Sequence, residues 1–352
     1  MQDSFLLYGA NGYTGKLIIQ AALEKGLKPV IAGRNEEQIR ALASDYNLQY
    51  TVFDLSNEQL IMEAIKGFPL VLHAAGPFKF TAKPMIKACI KAGVHYLDIT
   101  GEISVFEYGK KMNEAAKQAN MMIMSGVGFD VVPTDCLALF LAKNLPGATH
   151  LQLAFATLGG FLSHGTAATM NEGLGEGGVV RINGNLVKKP LGHKSMTVDF
   201  GIKKILVMTI PWGDISTAYT TTGIPNIETY TRASSKTVGL LKWQWLFNWV
   251  LKLSFIKKYQ LRKIKSKPEG PDKDTREKAT TLVWGKVWDE KGGTYTATLS
   301  CPEGYALTAI SSVLIAEKVL KGNFKPGYQT PAGCYEEDLV LEIPGVIRKV
   351  SV

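Results

Sequence analysis

Phe5-Leu6-Leu7-Tyr8-Gly9-Ala10-Asn11-Gly12-Tyr13-Thr14-Gly15, running into Lys16-Leu17-Ile18-Ile19-Gln20-Ala21-Ala22-Leu23, decides how the chain is read. A short apolar run, a turn with three glycines and an apolar helical pattern make a strand, a loop and a helix in succession. That order builds an anion site. The first glycine permits a tight turn, the second lets a pyrophosphate approach the backbone, and the third lets helix and strand pack closely. Amides at the helix start and the helix dipole attract the phosphates.

The same rhythm continues downstream. Leu27–Arg34 reads as a second strand, 36–46 as a helix, Gln49–Phe53 as a strand and 56–66 as a helix. Pro69–Ala75, His95–Ile99 and Met121–Met124 complete six strands, separated by helices at 83–92 and 104–119. Continuously apolar short strands alternating with amphipathic helices predict a parallel sheet covered on both faces. At the end of the second strand, where NAD-selective folds place an Asp or Glu, stands Gly33-Arg34-Asn35. An arginine there pairs with a 2′-phosphate, and a carboxylate that would repel it is missing, so NADP is favoured. Asp54 closes the third strand where an adenine edge would be met. Gly76-Pro77-Phe78 forms a turn at the carboxyl edge of the fourth, where open α/β sheets bind ligands.

Composition narrows the classes. The chain has 352 residues, 46% of them hydrophobic, enough for two domains or one with an insertion. Cys89, Cys136, Cys301 and Cys334 are far apart with no C-x-x-C pair, which argues against a metal site or disulfide framework and suits a reducing cytosol. The first strand begins by Phe5, so no secretory signal is expected. The net charge of +9 is local: nine Lys/Arg and no Asp or Glu lie between Lys236 and Lys267, and the remainder carries 31 basic and 31 acidic residues.

Five segments together resemble the saccharopine dehydrogenase-like oxidoreductases: the Gly9–Gly15 loop, Ala32-Gly33-Arg34-Asn35, Gly76-Pro77-Phe78, Tyr96-Leu97-Asp98-Ile99-Thr100-Gly101-Glu102 and Gly128-Phe129-Asp130. Gly270-Pro271, Arg276 and Pro326–Ala332 extend the likeness, which is closest to the branch with trans-acting enoyl reductases. The resemblance implies NADP held by Gly9, Gly12, Gly15 and Arg34, with Gly76, Pro77, Phe78 and the Thr100–Glu102 turn beside the nicotinamide ribose. It also implies a Rossmann-type doubly wound domain over 1–147, completed by 305–352. A second α+β domain on a largely antiparallel sheet would then span 148–304 and form a homodimer.

The middle of the chain supports that change of architecture independently. Leu151–Thr157, Ser195–Phe200, Lys204–Met208, Ala218–Thr222 and Ile227–Arg232 read as strands. Thr281–Trp288 and Thr294–Ser300 read as a hairpin with two-residue alternation. Phe161–Gly178 reads as a glycine-rich loop carrying Ser163, His164, Thr166, Thr169 and Asn171, suited equally to a ligand cleft and to a plain connection. Val238–Ile256 is mostly apolar and contains Trp243, Trp245 and Trp249; as a helix it would carry Gln244, Asn248 and Lys252 as a narrow polar stripe. Three readings stay open for 238–267: a helix at an anionic membrane surface, a buried or dimer-forming helix, and a membrane span, which the polar residues interrupt. No nucleic-acid module accompanies the basic run.

The proton donor is harder to find. Asp130 follows a loop at the sheet edge and His164 sits in the glycine-rich loop; each is a candidate, and each also has a bland reading as a cap or a surface histidine. Tyr259…Lys263 matches a Tyr-x-x-x-Lys spacing but lies outside any nucleotide domain. Three functions remain: reduction of a hydrophobic or carrier-bound enoyl substrate, a saccharopine-type reaction on a polar imine, and a non-catalytic NADP-binding role. The expected placement is cytoplasmic, with peripheral contact to the inner face of the membrane as the alternative.

Overall fold

A computed structural model describes residues 4–351. The chain divides into two compact units. One runs to Val132 and resumes over Tyr305–Cys334; the other takes Pro133–Gly304 and the tail from Tyr335.

In the first unit the elements are β1 (Leu6–Tyr8), α1 (Tyr13–Glu24), β2 (Val30–Gly33), α2 (Glu36–Tyr46), β3 (Tyr50–Val52), α3 (Glu58–Ile65), β4 (Leu70–His73), α4 (Phe78–Ala92), β5 (His95–Asp98), α5 (Ile103–Lys111), α6 (Asn113–Gln118) and β6 (Met122–Ser125). All six strands pair in parallel in the order β6-β5-β4-β1-β2-β3. The chain starts at β1 and grows outward in both directions, so the carboxyl end of β1 is the topological switch point, where such sheets bind ligands. Burial follows position. β1, β4 and β6 are buried throughout, whereas edge strand β3 exposes Tyr50 and Val52.

Helix α4 differs from the sequence expectation. The expected helix covers 83–92, yet α4 begins at Phe78 with Pro77 as its N-cap and Pro84 inside. The first turn is held from outside by the Glu102 carboxylate, which accepts from the amides of Phe78 and Lys79. Gly76–Phe78 is therefore a helix entrance.

The second unit contains α7 (Val132–Asn144), β7 (His150–Leu158), α8 (His164–Glu172), β8 (Gly178–Ile182), β9 (Asn185–Lys189), β10 (Ser195–Asp199), β11 (Lys204–Thr209), α9 (Asp214–Thr222), β12 (Asn226–Arg232), α10 (Ser235–Leu241), α11 (Gln244–Leu251), α12 (Ser254–Lys265), α13 (Lys273–Lys278), β13 (Thr280–Trp288) and β14 (Thr294–Pro302). The return consists of α14 (Gly304–Leu320), β15 (Gly327–Tyr328), α15 (Pro331–Tyr335) and a last strand, β16 (Ile347–Ser351). β15 adds a seventh parallel strand beside β6. The second sheet runs β10-β11-β12-β7-β13-β14-β16, antiparallel except where β12 pairs with β7, and the β8–β9 hairpin joins it at β12.

Several expectations are corrected here. Ala218–Thr222 is helix α9, although its threonines favour strands. Thr220 and Thr222 hydroxyls donate to the carbonyls four residues back, and Gly223, at φ 73°, ends the helix. The Phe161–Gly178 loop contains α8, capped by Ser163, whose hydroxyl accepts from Thr166 N. Val238–Ile256 is three short helices, α10 to α12, with breaks at Lys242-Trp243 and Lys252-Leu253.

The unit boundaries also differ from 147 and 305–352. α7 belongs to the second sheet because Gly285 leaves a gap that Leu137 and Leu141 fill; a Cβ there would lie 2.6 Å from Leu141 Cδ1. The tail from Tyr335 joins the second unit because β16 pairs with β14.

Candidate active site

The glycine loop leaves β1 with Gly9 at φ 86°, a conformation that side chains resist. A Cβ on Gly15 would lie 2.4 Å from Gly9 O and 2.7 Å from Ala10 O, so only glycine lets α1 start this close to the strand. α1 opens at Tyr13 with Gly12 as N-cap, without a side-chain cap and without an acidic residue in its first turn. That is the arrangement a phosphate completes. Thr14 lies in this turn, and Tyr13 packs edge-on against Tyr305 of the returning segment, ring centroids 5.1 Å apart. Asn11 donates to Gln38 Oε1 at 2.7 Å, fixing the loop to α2, and a Cβ on Gly33 would approach Asn11 Oδ1 to 3.1 Å.

Arg34 lies at the carboxyl end of β2, exposed, on an open cleft of about 540 Å³ shared with Val52, Phe53, Asp54, Leu60, Glu63 and Ala64. Arg34 and Asp54, far apart in sequence, thus line one space. Asp54 turns its Oδ1 to the backbone N–H and hydroxyl of Ser56, which holds its carboxyl below the usual range. Asn35 is the N-cap of α2, accepting from Gln38 N at 3.0 Å. Its side chain serves the helix.

At the other half of the sheet edge a buried polar chain ties three strands together. Asp98, fully buried at the end of β5, accepts from Tyr96 Oη at 2.8 Å, Thr100 N at 3.0 Å and Gly126 N at 3.0 Å. Because the Tyr96 hydroxyl donates to Asp98, it accepts from His73 Nδ1 at 3.1 Å. His73 is therefore the Nδ1–H tautomer, held neutral by burial that lowers its pKa to about 3. Burial raises Asp98 to about 6 against the pull of those hydrogen bonds. Desolvation wins there.

This network sets the next loops. Thr100 Oγ1 accepts from Glu102 N at 3.0 Å, and the Glu102 carboxylate accepts from Phe78 N at 2.7 Å and Lys79 N at 2.9 Å, capping α4 directly after the cis Gly76–Pro77 bond. Asp130 lies over Gly101, so close that a Cβ on Gly101 would sit 2.6 Å from its Oδ2. Burial first, and the Glu102 charge second, push Asp130 up to about 7. The loop bearing it is held by the returning helix: Thr308 Oγ1 accepts from Phe129 N at 3.0 Å, and the Ser311 hydroxyl donates to Val127 O at 2.8 Å.

Gly9–Gly15, Arg34, Asp54, Gly76–Phe78, Thr100, Gly101 and Asp130 thus line the carboxyl edge of one sheet. His164 belongs to the second unit, where its Nε2–H donates to Lys267 O at 2.8 Å. Sequence reasoning missed Thr308 and Ser311, since nothing local in a helix nearly 180 positions downstream announces that it holds this loop.

Residues 5–124 match the model of the saccharopine dehydrogenase NADP binding domain. This covers the glycine loop, Arg34, the Gly76 turn and the Asp98 network apart from Gly126. Residues 5–124 thus carry the NADP-binding domain of the saccharopine dehydrogenases. A saccharopine dehydrogenase-like oxidoreductase of Mus musculus is 29% identical over 203 residues, 50% of this chain and 47% of that protein. A trans-acting enoyl reductase of Mycobacterium ulcerans is 33% identical over 144 residues, 37% and 33% of the two chains. The matched region spans less than half the length of these relatives. Saccharopine dehydrogenase (L-Glu forming) of Saccharomyces cerevisiae shares the fold across 99% of this chain and 100% of its own, with a TM-score of 0.68 and 11% identity.

The fit to NADP rests on the chain itself: a cradle that any Cβ would fill, a helix start open to an anion, and Arg34 where a 2′-phosphate would lie.

Proposed function

We propose that the chain reduces the C=N bond of an imine with NADPH, Asp130 supplying the proton. The observation that carries this is the placement of Asp130 at the sheet edge, over Gly101 and beside Glu102, half-buried and raised to about 7. A carboxyl in that state is about half protonated at neutral pH and suited to general acid work. Two backbone amides hold the Glu102 carboxylate beside it, and a charge there favours the proton on Asp130. Asp98 acts differently: its oxygens are taken up by Tyr96, Thr100 and Gly126, so it positions the turn.

When bound, NADPH supplies the hydride. The imine carbon gains that hydride, the nitrogen gains the Asp130 proton, and the carboxylate regains a proton from water. His164 has no part in this scheme, since its Nε2–H is given to Lys267 O. The imine class is supported by the names of the relatives and by the likeness of fold to saccharopine dehydrogenase along the whole chain.

A second reading, reduction of an enoyl thioester, is favoured by the arginines of the second unit. A dicarboxylate substrate calls for guanidinium groups facing it. Arg181 instead donates from Nε to Ile215 O at 2.7 Å and from Nη1 to Gly184 O at 2.5 Å, and stacks over Tyr219; Arg276 donates to Pro271 O at 2.7 Å. In this reading the same Asp130 proton goes to the carbon next to the thioester. The test is NADPH consumption with a panel of imines and enoyl thioesters. Turnover of imines supports the first reading, turnover of enoyl thioesters alone supports the second, and tight NADPH binding with no turnover would leave only a non-catalytic role.

A further inference from the structure

The segment from Ser235 to Lys265 is built inside out. Along α11, the polar side chain faces the protein and the large apolar ones face water. Gln244 is buried; its Nε2 donates to Leu191 O at 2.9 Å and Leu241 O at 2.8 Å, and its Oε1 accepts from Leu191 N at 3.0 Å. Asn248 O sits so close to Gly175 that a Cβ there would lie 2.5 Å away. On the outward side Trp243 is 60% exposed, Trp245 69% and Trp249 65%, with Leu240 and Phe255 at 62%. Ordinary surface helices do the reverse.

α12 is tethered in the same way. Asn171 Nδ2 donates to Lys257 O at 3.0 Å and Lys257 Nζ to Glu172 O at 2.5 Å, which fixes one side against α8. Its other side exposes Phe255, Tyr259, Arg262, Lys263 and Lys265. The Trp249 indole N–H is already satisfied by Leu246 O at 2.8 Å, so the ring can leave water without stranding a donor. Among the described residues no helix is long and apolar enough to cross a membrane. The segment can lie on a surface only.

We propose that residues 235–265 dock the chain onto an anionic lipid surface, Trp243, Trp245, Trp249 and Phe255 entering the headgroup layer and Arg262, Lys263 and Lys265 meeting the lipid charges. Charge selects this occupant. Between Lys236 and Lys267 there are nine Lys/Arg and no Asp or Glu, an excess that Glu172 on the supporting helix leaves nearly intact. A symmetric contact with a second copy would bring these cations face to face, which costs energy. Anionic headgroups neutralise them, and tryptophan favours that depth. The proposal does not depend on which substrate is reduced.

The experiment is flotation of the full chain with vesicles of pure phosphatidylcholine or of equal phosphatidylcholine and phosphatidylserine. Flotation should be at least about tenfold stronger on the anionic vesicles and should fall with added salt. Two surface variants should each reduce it by about tenfold or more: Trp243→Ser/Trp245→Ser/Trp249→Ser, and Arg262→Glu/Lys263→Glu/Lys265→Glu. All six positions are exposed, so unchanged melting curves would show that the fold is kept. The proposal is overturned if the parent does not float, if the variants float equally well, or if the tryptophan variant turns a dimer into a monomer while vesicle binding stays absent.

Discussion

Replacing Asp130 by Asn should stabilise the protein while disabling it. In the folded chain the carboxyl titrates near 7 against an ordinary 3.8. A raised folded pKa means that the folded state holds the proton more tightly, so the site favours folding fully below about pH 4. That contribution is lost as pH rises towards 7, and above 7 the charged carboxylate opposes folding by a constant amount. The full shift corresponds to on the order of 4 kcal/mol, an upper bound because Asp130 keeps some contact with solvent; about 2 kcal/mol is a reasonable working value. Asn keeps the shape and carries no charge. The stability difference between Asn and Asp should therefore grow between pH 4 and 7 and then level off, as read by denaturant unfolding at a series of pH values. In the same variant, turnover should drop by about 10²–10⁴-fold, and the alkaline fall of the parent's rate, centred near 7, should disappear. A difference in stability that does not change with pH, or a variant that keeps the alkaline limb, would refute the reasoning.

Other outcomes follow from the cradle and its supports. Gly15→Ala places a methyl 2.4 Å from Gly9 O, and backbone on both sides cannot give way easily, so calorimetry should show NADPH affinity reduced by about 10–100-fold. Arg34→Asp should weaken NADPH by a similar factor and leave NADH unchanged or tighter; equal losses for both would remove Arg34 from the 2′-phosphate site. Thr308→Val removes the hydroxyl that accepts from Phe129 N, and loss of that hydrogen bond should cost about 0.5–1.5 kcal/mol of stability together with a lower turnover. A lower melting temperature with unchanged turnover would show that α14 does not position the Asp130 loop.

The first unit was legible because its signals are local. β1, the glycine loop and α1 follow each other within twenty residues, and buried parallel strands announce themselves as unbroken apolar runs. The position of Arg34 could be read for the same reason, since it depends only on following the end of β2. The second unit resisted where tertiary contacts override propensity. Threonines 217, 220, 221 and 222 argue for a strand, yet they lie in α9, with Ile215 and Ala218 in the core. The Asn183-Gly184 turn between β8 and β9 carried a hairpin signal that the surrounding glycines and lysines obscured. Sequence pattern identified the polar stripe of Gln244 and Asn248 but not its direction, since periodicity says which residues share a face and not which face meets the protein. Gln244 points inward because Leu191 offers it both a carbonyl and an amide. The tail was assigned to the first unit because β16 pairs with a strand nearly fifty residues upstream, which no local pattern reveals.

The most direct measurement uses NADPH carrying deuterium at both C4 positions of the nicotinamide, offered with the imine and enoyl panel and read by mass spectrometry of the products. The account predicts that deuterium appears on the substrate carbon in the parent and that the Asp130→Asn variant binds the same cofactor but transfers label far more slowly. Label retained wholly on the cofactor with every substrate, while NADPH still binds, would contradict it.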